Sequence, residues 1–314
     1  MSGTIFRLYR INFVDREHLF DKPVVTDADI LSVFTAAANQ RHDVSRSRKR
    51  HGFRWSIRDI VSDKIYEIDR AYISGSFSHE TTYRTGPIVQ PEGVTYGTSE
   101  ISPPMAIPVR FFIDLARHII AFEDVPSIMQ QKTGWQNAFQ LILSSAAHNS
   151  GFTSRVNLEP IAPQQLIEQQ ISTFESVTRL RLTLRIPNPD LGPTFKKLFD
   201  EMKESGIREL TEDMRSERGL AMEPNSIPRM SINMAISGYR KGNVQVYGRR
   251  NGRQDKFTIA DDIARIDLRE LRSYVEGMEV VSSKASERKL LAAIISRIDE
   301  TLGRRLESND HDEG

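Results

Sequence analysis

The chain has 314 residues, of which 39% are hydrophobic and 27% are charged, as in an ordinary soluble globular protein. Its formal net charge is only +1, and the absence of cysteine excludes disulfides, thiolate nucleophiles and cysteine-ligated metals. No segment approaches the roughly 18 consecutive apolar residues of a membrane helix, so we expect a cytoplasmic protein that makes no membrane contact.

The first part of the chain predicts short strands around one early helix. Residues 5–13 alternate as a strand does, and residues 27–40 repeat apolar side chains at helical spacing. Short β-like segments follow at 53–57, 64–73 and 83–89, separated by Gly, Ser and Asp. This spacing is typical of the strands of an antiparallel sheet.

The rest of the N-terminal half predicts a loop, a hairpin and a helix. Residues 86–108 contain five Pro and three Gly, which predicts a long loop or lid. Residues 109–124 predict a hairpin that turns at 114–117, and a helix is expected over 132–147. An Asn-Ser-Gly sequence follows this helix, and we place a subdomain boundary near residue 150.

The C-terminal half opens with a strand, a helix and a second strand. The first strand is expected at 156–161, and the helix begins at Pro163. In the second strand, leucines at every other position from residue 180 predict a buried face. The opposite face carries Arg179, Arg181 and Arg185.

The remaining elements complete an α+β fold. We expect a helix over 194–205, a charged helical segment, a strand at 229–237, a strand at 243–248 that turns back in a hairpin, and a long helix over 268–304. The predicted fold has mixed, mostly antiparallel sheets with helices packed on one face, in two subdomains. The predicted boundaries are 1–150 and 151–306, followed by an acidic tail at 307–314.

Positive charge is concentrated in two segments although the whole chain is almost neutral. Residues 40–55 contain six Lys or Arg and one Asp, and residues 238–257 contain the same numbers. Arginine suits forked contacts to phosphate, and Tyr239 and Tyr247 offer faces for stacked bases. The candidate nucleic-acid contacts are Arg46, Arg48, Lys49, Arg50, Arg54, Arg179, Arg181, Arg185, Arg240, Lys241, Arg249, Arg250 and Arg253.

A second interpretation of these basic residues stays open. Surface arginines are commonly solvated or paired with acids, and Glu159 on a neighbouring predicted strand is a possible partner for the arginine row. In the same way, the stretch at 40–55 is either a solvated loop or an arm that orders on nucleic acid.

Acidic residues give a catalytic alternative. Asp59, Asp63, Glu67 and Asp69 are candidates for holding Mg²⁺ in phosphodiester cleavage. These acids do not show the carboxylate-x-Lys pattern common in restriction-like nucleases: Glu67-Ile68-Asp69 is followed by Arg70, which is a weak substitute for lysine. The seven His residues never approach a zinc-binding spacing, so we expect no transition metal and no other cofactor.

Three stretches resemble a bacterial protein family of unknown function. They are VRFFIDLARHIIAFED, LRIPNPD and GNVQVYGRRNG, and the points of likeness are Asn188, Pro189, Asp190, Gly242 and Gly248. That family is often met beside phage-defence or mobile-element genes and brings no established catalytic residues. The resemblance implies a cytoplasmic bacterial protein that acts with other products of a defence locus.

These observations predict a nucleic-acid-binding accessory or sensor protein of an anti-phage system. One alternative is a metal-dependent nuclease or toxin, with Mg²⁺ as its only cofactor. The other is a protein-interaction subunit that does not bind nucleic acid, whose partner is another protein of the same locus. The sequence does not distinguish DNA from RNA, and it leaves the oligomeric state open.

Overall fold

A computed structural model describes residues 5–15, 25–48, 51–129, 134–152, 154–185, 201–202, 204–207, 209–259, 263–268 and 284–302. The strands are β1 (Ile5–Asp15), β2 (Val44–Arg48), β3 (His51–Ile65), β4 (Arg70–Gln90), β5 (Gly93–Asp114), β6 (Ile119–Glu123), β7 (Ser154–Pro160), β8 (Ser176–Arg185), β9 (Glu209–Arg215), β10 (Val244–Arg250), β11 (Arg253–Ile259) and β12 (Arg265–Asp267). The helices are α1 (Asp27–Ala37), α2 (Pro126–Met129), α3 (Gly134–Asn149), α4 (Gln164–Ser172), α5 (Ile227–Met234) and α6 (Lys284–Leu302). The predicted α+β fold is confirmed.

The chain forms two compact units. The first contains Ile11–Leu158, and the second contains Glu159–Ile266 together with Leu8–Arg10 of β1. Of the described residues, no helix is both long and apolar enough to cross a membrane.

In the first unit, the strands follow the order β1, β6, β5, β4, β3, β2. Thr26 begins α1 with a capping box, since its hydroxyl accepts from the Asp29 amide and the Asp29 carboxylate accepts in return. Phe34 of α1 and Phe139 of α3 both pack against Phe111 of β5, with ring centroids 5.8 and 5.6 Å away. These contacts bury one face of the sheet and form the core of this unit.

The structure corrects the prediction of a long loop at 86–108. These residues belong to β4 and β5, which pair as one long hairpin with Gln90 opposite Gly93 at its end. Pro87 is opposite Tyr96, where no third strand of the described residues pairs with the hairpin, so the missing amide of proline breaks no further described ladder. The distal part of this hairpin exposes apolar side chains, among them Val89 and Met105.

The hairpin predicted at 109–124 is confirmed. Phe111 pairs with Phe122, and a short 3₁₀ turn at Leu115–Arg117 connects the two strands. The helix predicted at 132–147 is observed as α3, which begins at Gly134 and ends at Asn149.

The second unit is built on a four-stranded antiparallel sheet in the order β11, β10, β8, β9. Leu180, Leu182 and Leu184 of β8 are buried in one cluster with Ile167 of α4 and Ile232 of α5. The helices therefore cover the leucine face of the sheet, as predicted.

Two elements of the second unit were predicted wrongly. The segment expected as a strand at 229–237 forms α5 and a following π-helical turn, Ala235–Tyr239. Ser226 caps this helix by accepting from the Arg229 amide. The charged segment expected to be helical contains β9, whose residues pair with β8 along the whole strand.

Several predictions fall on residues that are not described. Of the helix expected over 194–205, residues 194–200 and 203 lie outside the described residues, while Glu201, Met202 and Glu204 are helical. Asn188, Pro189, Asp190 and the tail at 307–314 also lie outside the described residues. The long C-terminal helix is described as α6, and residues 269–283 lie outside the described set.

Candidate nucleic-acid interface

The arginine row of β8 lies on the face of the sheet that the helices leave open. Its register with β9 places Arg179 opposite Arg215, Arg181 opposite Asp213 and Arg185 opposite Glu209. Because opposite residues in an antiparallel pair share a face, the open face carries both bases and acids.

Carboxylates bind part of this row. Asp213 accepts two hydrogen bonds from Arg179, each 2.7 Å long, and one of 2.9 Å from Nη2 of Arg215. These two guanidinium groups hold the pKa of Asp213 well below its usual range, because both hydrogen bonds and charge favour its ionised form. Asp213 is therefore an anion already in place between two arginines.

A second ionic network lies at the other end of the row. Arg185 contacts Glu159 at 2.9 Å and Glu209 at 3.1 Å, and Lys241 contacts Glu209 at 2.7 Å. Glu159 is thus confirmed as a partner of the arginine row. Burial raises the pKa of Glu159 to about 7 despite the attraction of Arg185 and Arg240.

Two arginines of the open face have no carboxylate partner within the described part of the chain. Arg181, in the middle of β8, is exposed, and so is Arg249 of β10. Arg215 remains 65% exposed although it contacts Asp213. These side chains can contact phosphate without first leaving a buried position.

An aromatic ring lies between the cations of the open face. Tyr247 of β10 is directly opposite Arg179 of β8 and Lys256 of β11. The guanidinium carbon of Arg179 is 5.3 Å from the ring centroid, and the Lys256 ammonium is 5.2 Å from it. The Tyr247 hydroxyl donates to Gln245, which fixes the position of the half-buried ring.

Two residues predicted for the interface are buried instead. Arg240 is only 1% exposed, and its Nη1 donates to the backbone carbonyl of Ile259. Tyr239 is 3% exposed, with the guanidinium of Arg10 lying 4.2 Å from its ring centroid. Neither side chain contributes to the open face, because both pack inside the second unit.

At the end of the β10–β11 hairpin, Arg249, Arg250 and Arg253 do not share one face of the sheet. Asn251 and Gly252 form a two-residue turn with positive φ at both positions. Arg250 contacts Asp255 at 2.8 Å and lies over the ring of Phe174, and Arg253 is directly opposite Arg250. Strand alternation therefore places Arg249 alone on the open face.

The basic segment at 40–55 is neither a loop nor a free arm over its described length. It forms a short 3₁₀ turn, then β2 and the start of β3, which pair as a hairpin. Arg46 is exposed, whereas Arg54 donates to Glu80 at 2.9 Å. Lys49 and Arg50 lie outside the described residues, as does the side chain of Arg48.

The acids considered for Mg²⁺ do not converge. Asp59 is exposed at an irregularity of β3, Asp69 pairs with Lys64, and the Asp63 carboxylate accepts from the Lys64 amide. Glu67 is exposed in the short turn before β4. Throughout the described ranges, no group of three or more His, Cys, Asp or Glu could hold a metal ion.

One protein-family model covers most of this chain. Residues 32–270 match the model of a domain of unknown function, DUF4747. The chain belongs to the DUF4747 family. A search of curated proteins found no match to it.

The DUF4747 segment contains the whole four-stranded sheet of the second unit, and with it two cations that were not predicted. Arg215 was missed because its segment was expected to be a helix: Leu210 and Met214 of ELTEDMR are four residues apart, which fits a helix as well as a strand. Lys256 was missed because the hairpin turn was not placed at Asn251-Gly252. That dipeptide is a strong signal for a two-residue hairpin turn and would have set Lys256 opposite Tyr247.

Proposed function

We propose that this protein is a nucleic-acid-binding accessory or sensor protein of a bacterial anti-phage defence system. The observation that carries the proposal is the open face of the four-stranded sheet. On that face Arg181 and Arg249 have no carboxylate partner among the described residues, and Tyr247 lies between Arg179 and Lys256. Cations beside a partly exposed ring are the combination that binds single-stranded nucleic acid.

The place in a defence system is supported by the sequence resemblance to a family met beside phage-defence genes. Within that proposal, the partners are DNA or RNA and another protein of the same locus. The ionic networks around Asp213 and Glu209 neutralise part of the positive charge of the face. They leave it able to bind phosphate through its unpaired cations rather than through general basicity.

The test is a binding titration with single- and double-stranded DNA and RNA at several salt concentrations. We expect affinity to fall steeply with salt, and the Arg181→Ala, Arg249→Ala double variant to bind roughly tenfold or more weakly. Its salt slope should also fall by about one for each lost phosphate contact. In a host carrying the locus, the same variant should lose protection in a phage plating assay.

Arg155→Ala is the matched control, since Arg155 is an exposed arginine of the first unit. It should bind as the wild type does. An absence of binding at low salt, or a double variant that binds unchanged, would overturn the proposal.

A protein-interaction subunit is the second candidate function, and one observation favours it. The hairpin of β4 and β5 exposes Val89 by 83%, Met105 by 76% and Val94 by 70%. Apolar surface of this kind is typical of protein contacts. This candidate predicts no affinity for nucleic acid at any salt concentration, so the same titration separates it from the first. The metal-dependent nuclease has no comparable support from the described residues.

A further inference from the structure

Five aromatic rings form a nearly parallel column on the sheet of the first unit. Their centroid separations are 5.1, 4.1, 5.0 and 5.8 Å, and the angles between successive planes run from 15° to 32°. From the inner end outward, the rings are Phe77, Trp55, His79, Phe53 and His51.

The strand register explains the column. His51, Phe53 and Trp55 are alternate residues of β3 and therefore share one face, and His79 of β4 is directly opposite Trp55. Other ring pairs of this unit are inclined more steeply, such as Phe34 and Phe111 at 45° and Phe77 and Phe139 at 90°. Phe77, at the inner end of the column, therefore packs in the core, and the rings after it lie closer to the surface.

The outer end of the column reaches the surface. Phe77 and Trp55 are buried, whereas Phe53 and His51 are partly exposed. In the described part of the chain, no ring other than Phe53 stacks on His51. A flat ligand can therefore extend the column by contacting its last rings.

Two cations flank this end. Arg46 of β2 is directly opposite Phe53, and Arg84 of β4 is directly opposite His51. Both arginines are exposed, and neither has a carboxylate partner among the described residues. Arg54 points to the other face of β3 and is held by Glu80, so it does not add to this charge.

One ring inside the column is an imidazole. Burial lowers the pKa of His79, which favours its neutral form, so this ring packs between Trp55 and Phe53 as an ordinary aromatic ring. Arg46 and Arg84 supply positive charge on either side of the stack.

We propose that the outer end of this column, formed by His51 and Phe53, is a stacking site for an unpaired base of single-stranded nucleic acid. Arg46 and Arg84 contact the phosphates on the two sides of that base. The site rests on the proposed function and adds a second contact for the same single strand, because a base within a duplex has no free face to stack. It is separate from the open face of the second unit.

Removing the base tests the stacking directly. We compare a single-stranded DNA oligonucleotide with the same oligonucleotide in which bases are replaced by abasic sites, which keep the phosphates. The wild type should bind the abasic probe about tenfold more weakly, since one stacked base contributes on the order of that factor. Phe53→Leu should bind the intact probe about tenfold more weakly and should discriminate between the two probes clearly less than the wild type does, any remaining discrimination coming from Tyr247 of the open face.

Further variants and a duplex complete the experiment. His51→Ala leaves Phe53 in place, so it keeps the test valid if Phe53→Leu does not fold. Tyr96→Leu is the control, because Tyr96 is a 64% exposed ring of the distal hairpin that lies outside the column. Binding of a blunt duplex should be the same in the wild type, both column variants and the control.

The outcomes separate this site from the proposed function. If the oligonucleotide binds with steep salt dependence but the wild type does not distinguish the abasic probe, or both column variants distinguish it as strongly as the wild type does, the stacking site is wrong and nucleic-acid binding stands. If no oligonucleotide binds at low salt, the proposed function itself is wrong.

Discussion

Asp213 decides how much positive charge the open face presents. Its carboxylate is shared by Arg179 and Arg215, while Arg181, directly opposite it across the strands, has no carboxylate partner among the described residues. A phosphate group has the same charge sign and accepts the same forked hydrogen bonds. Under the proposed function, Asp213 would therefore compete with a nucleic acid for two of the arginines.

Removal of this competitor should strengthen binding. We expect Asp213→Asn to bind single-stranded DNA roughly three- to tenfold more tightly than the wild type and with a steeper salt dependence, because two further cations become available. A salt-dependent binding titration measures both quantities.

The matched control is Asp255→Asn, which releases Arg250 on the helix-facing side of the sheet. It should leave affinity unchanged. If Asp213→Asn also binds as the wild type does while Arg181→Ala weakens binding, then Arg179 and Arg215 lie outside the contact surface.

At the scale of single elements, the β8–β10 pair depends on a close approach at Gly248. A β-carbon at this position would lie 2.3 Å from the carbonyl oxygen of Ser176 and 2.7 Å from the ring of Phe174. The register between the two strands shifts between Tyr247 and Gly248. The ring of Phe174 thus fills the space that a side chain would need.

Gly248→Ala should therefore destabilise the protein by about 1–3 kcal/mol, because the backbone oxygen cannot move without disturbing the strand pair. Chemical denaturation measures this free energy of unfolding. Gly86→Ala is the control, since its β-carbon would meet nothing within 4 Å. A Gly248→Ala protein as stable as the wild type would show that the two strands separate easily here.

Elements whose apolar residues follow one regular period were predictable from the sequence. Elements whose sequence carries signals for both a strand and a helix were not. Leu180, Leu182 and Leu184 alternate without interruption, and β8 was predicted with its arginine face correct. Met230, Ile232 and Met234 alternate too, yet they form α5, because Ser226 and Pro228 supply a helix start that outweighs the alternation.

The site was predictable only in part for the same reason. Arg181 and Arg249 were identified from their charge and strand position. The acids that bind Arg179 and Arg185 come from β9, whose alternation was hidden by its many charges, so Asp213 and Glu209 were not foreseen. Pairing across strands is not local in sequence, and sequence patterns alone do not show which charges neutralise one another.

Over the whole molecule, Glu159 couples stability to pH. Burial raises its pKa from an ordinary value of 4.5 to about 7, so the folded protein holds a proton that the unfolded chain releases at lower pH. The contribution of Glu159 to stability therefore falls as pH rises between these two values. The expected loss across the window is on the order of 2–3 kcal/mol.

Glu159→Gln should remove this dependence, because an amide does not titrate. Its free energy of unfolding, measured by denaturant titration on both sides of the window, should change less with pH than that of the wild type. Glu100→Gln alters an exposed carboxylate and should follow the wild type. Identical pH profiles for wild type and Glu159→Gln would contradict the shifted pKa.

The ionic clusters around Asp213 and Glu209 also bear on which anions the open face would ignore. A mononucleotide or free orthophosphate can replace one carboxylate at a time and gains little by the exchange. A polymer delivers many negative groups from one molecule, so each exchange after the first has a high effective concentration. The pairing of these arginines with carboxylates of the same sheet would then weaken the binding of small phosphate-bearing metabolites much more than the binding of long polyanions.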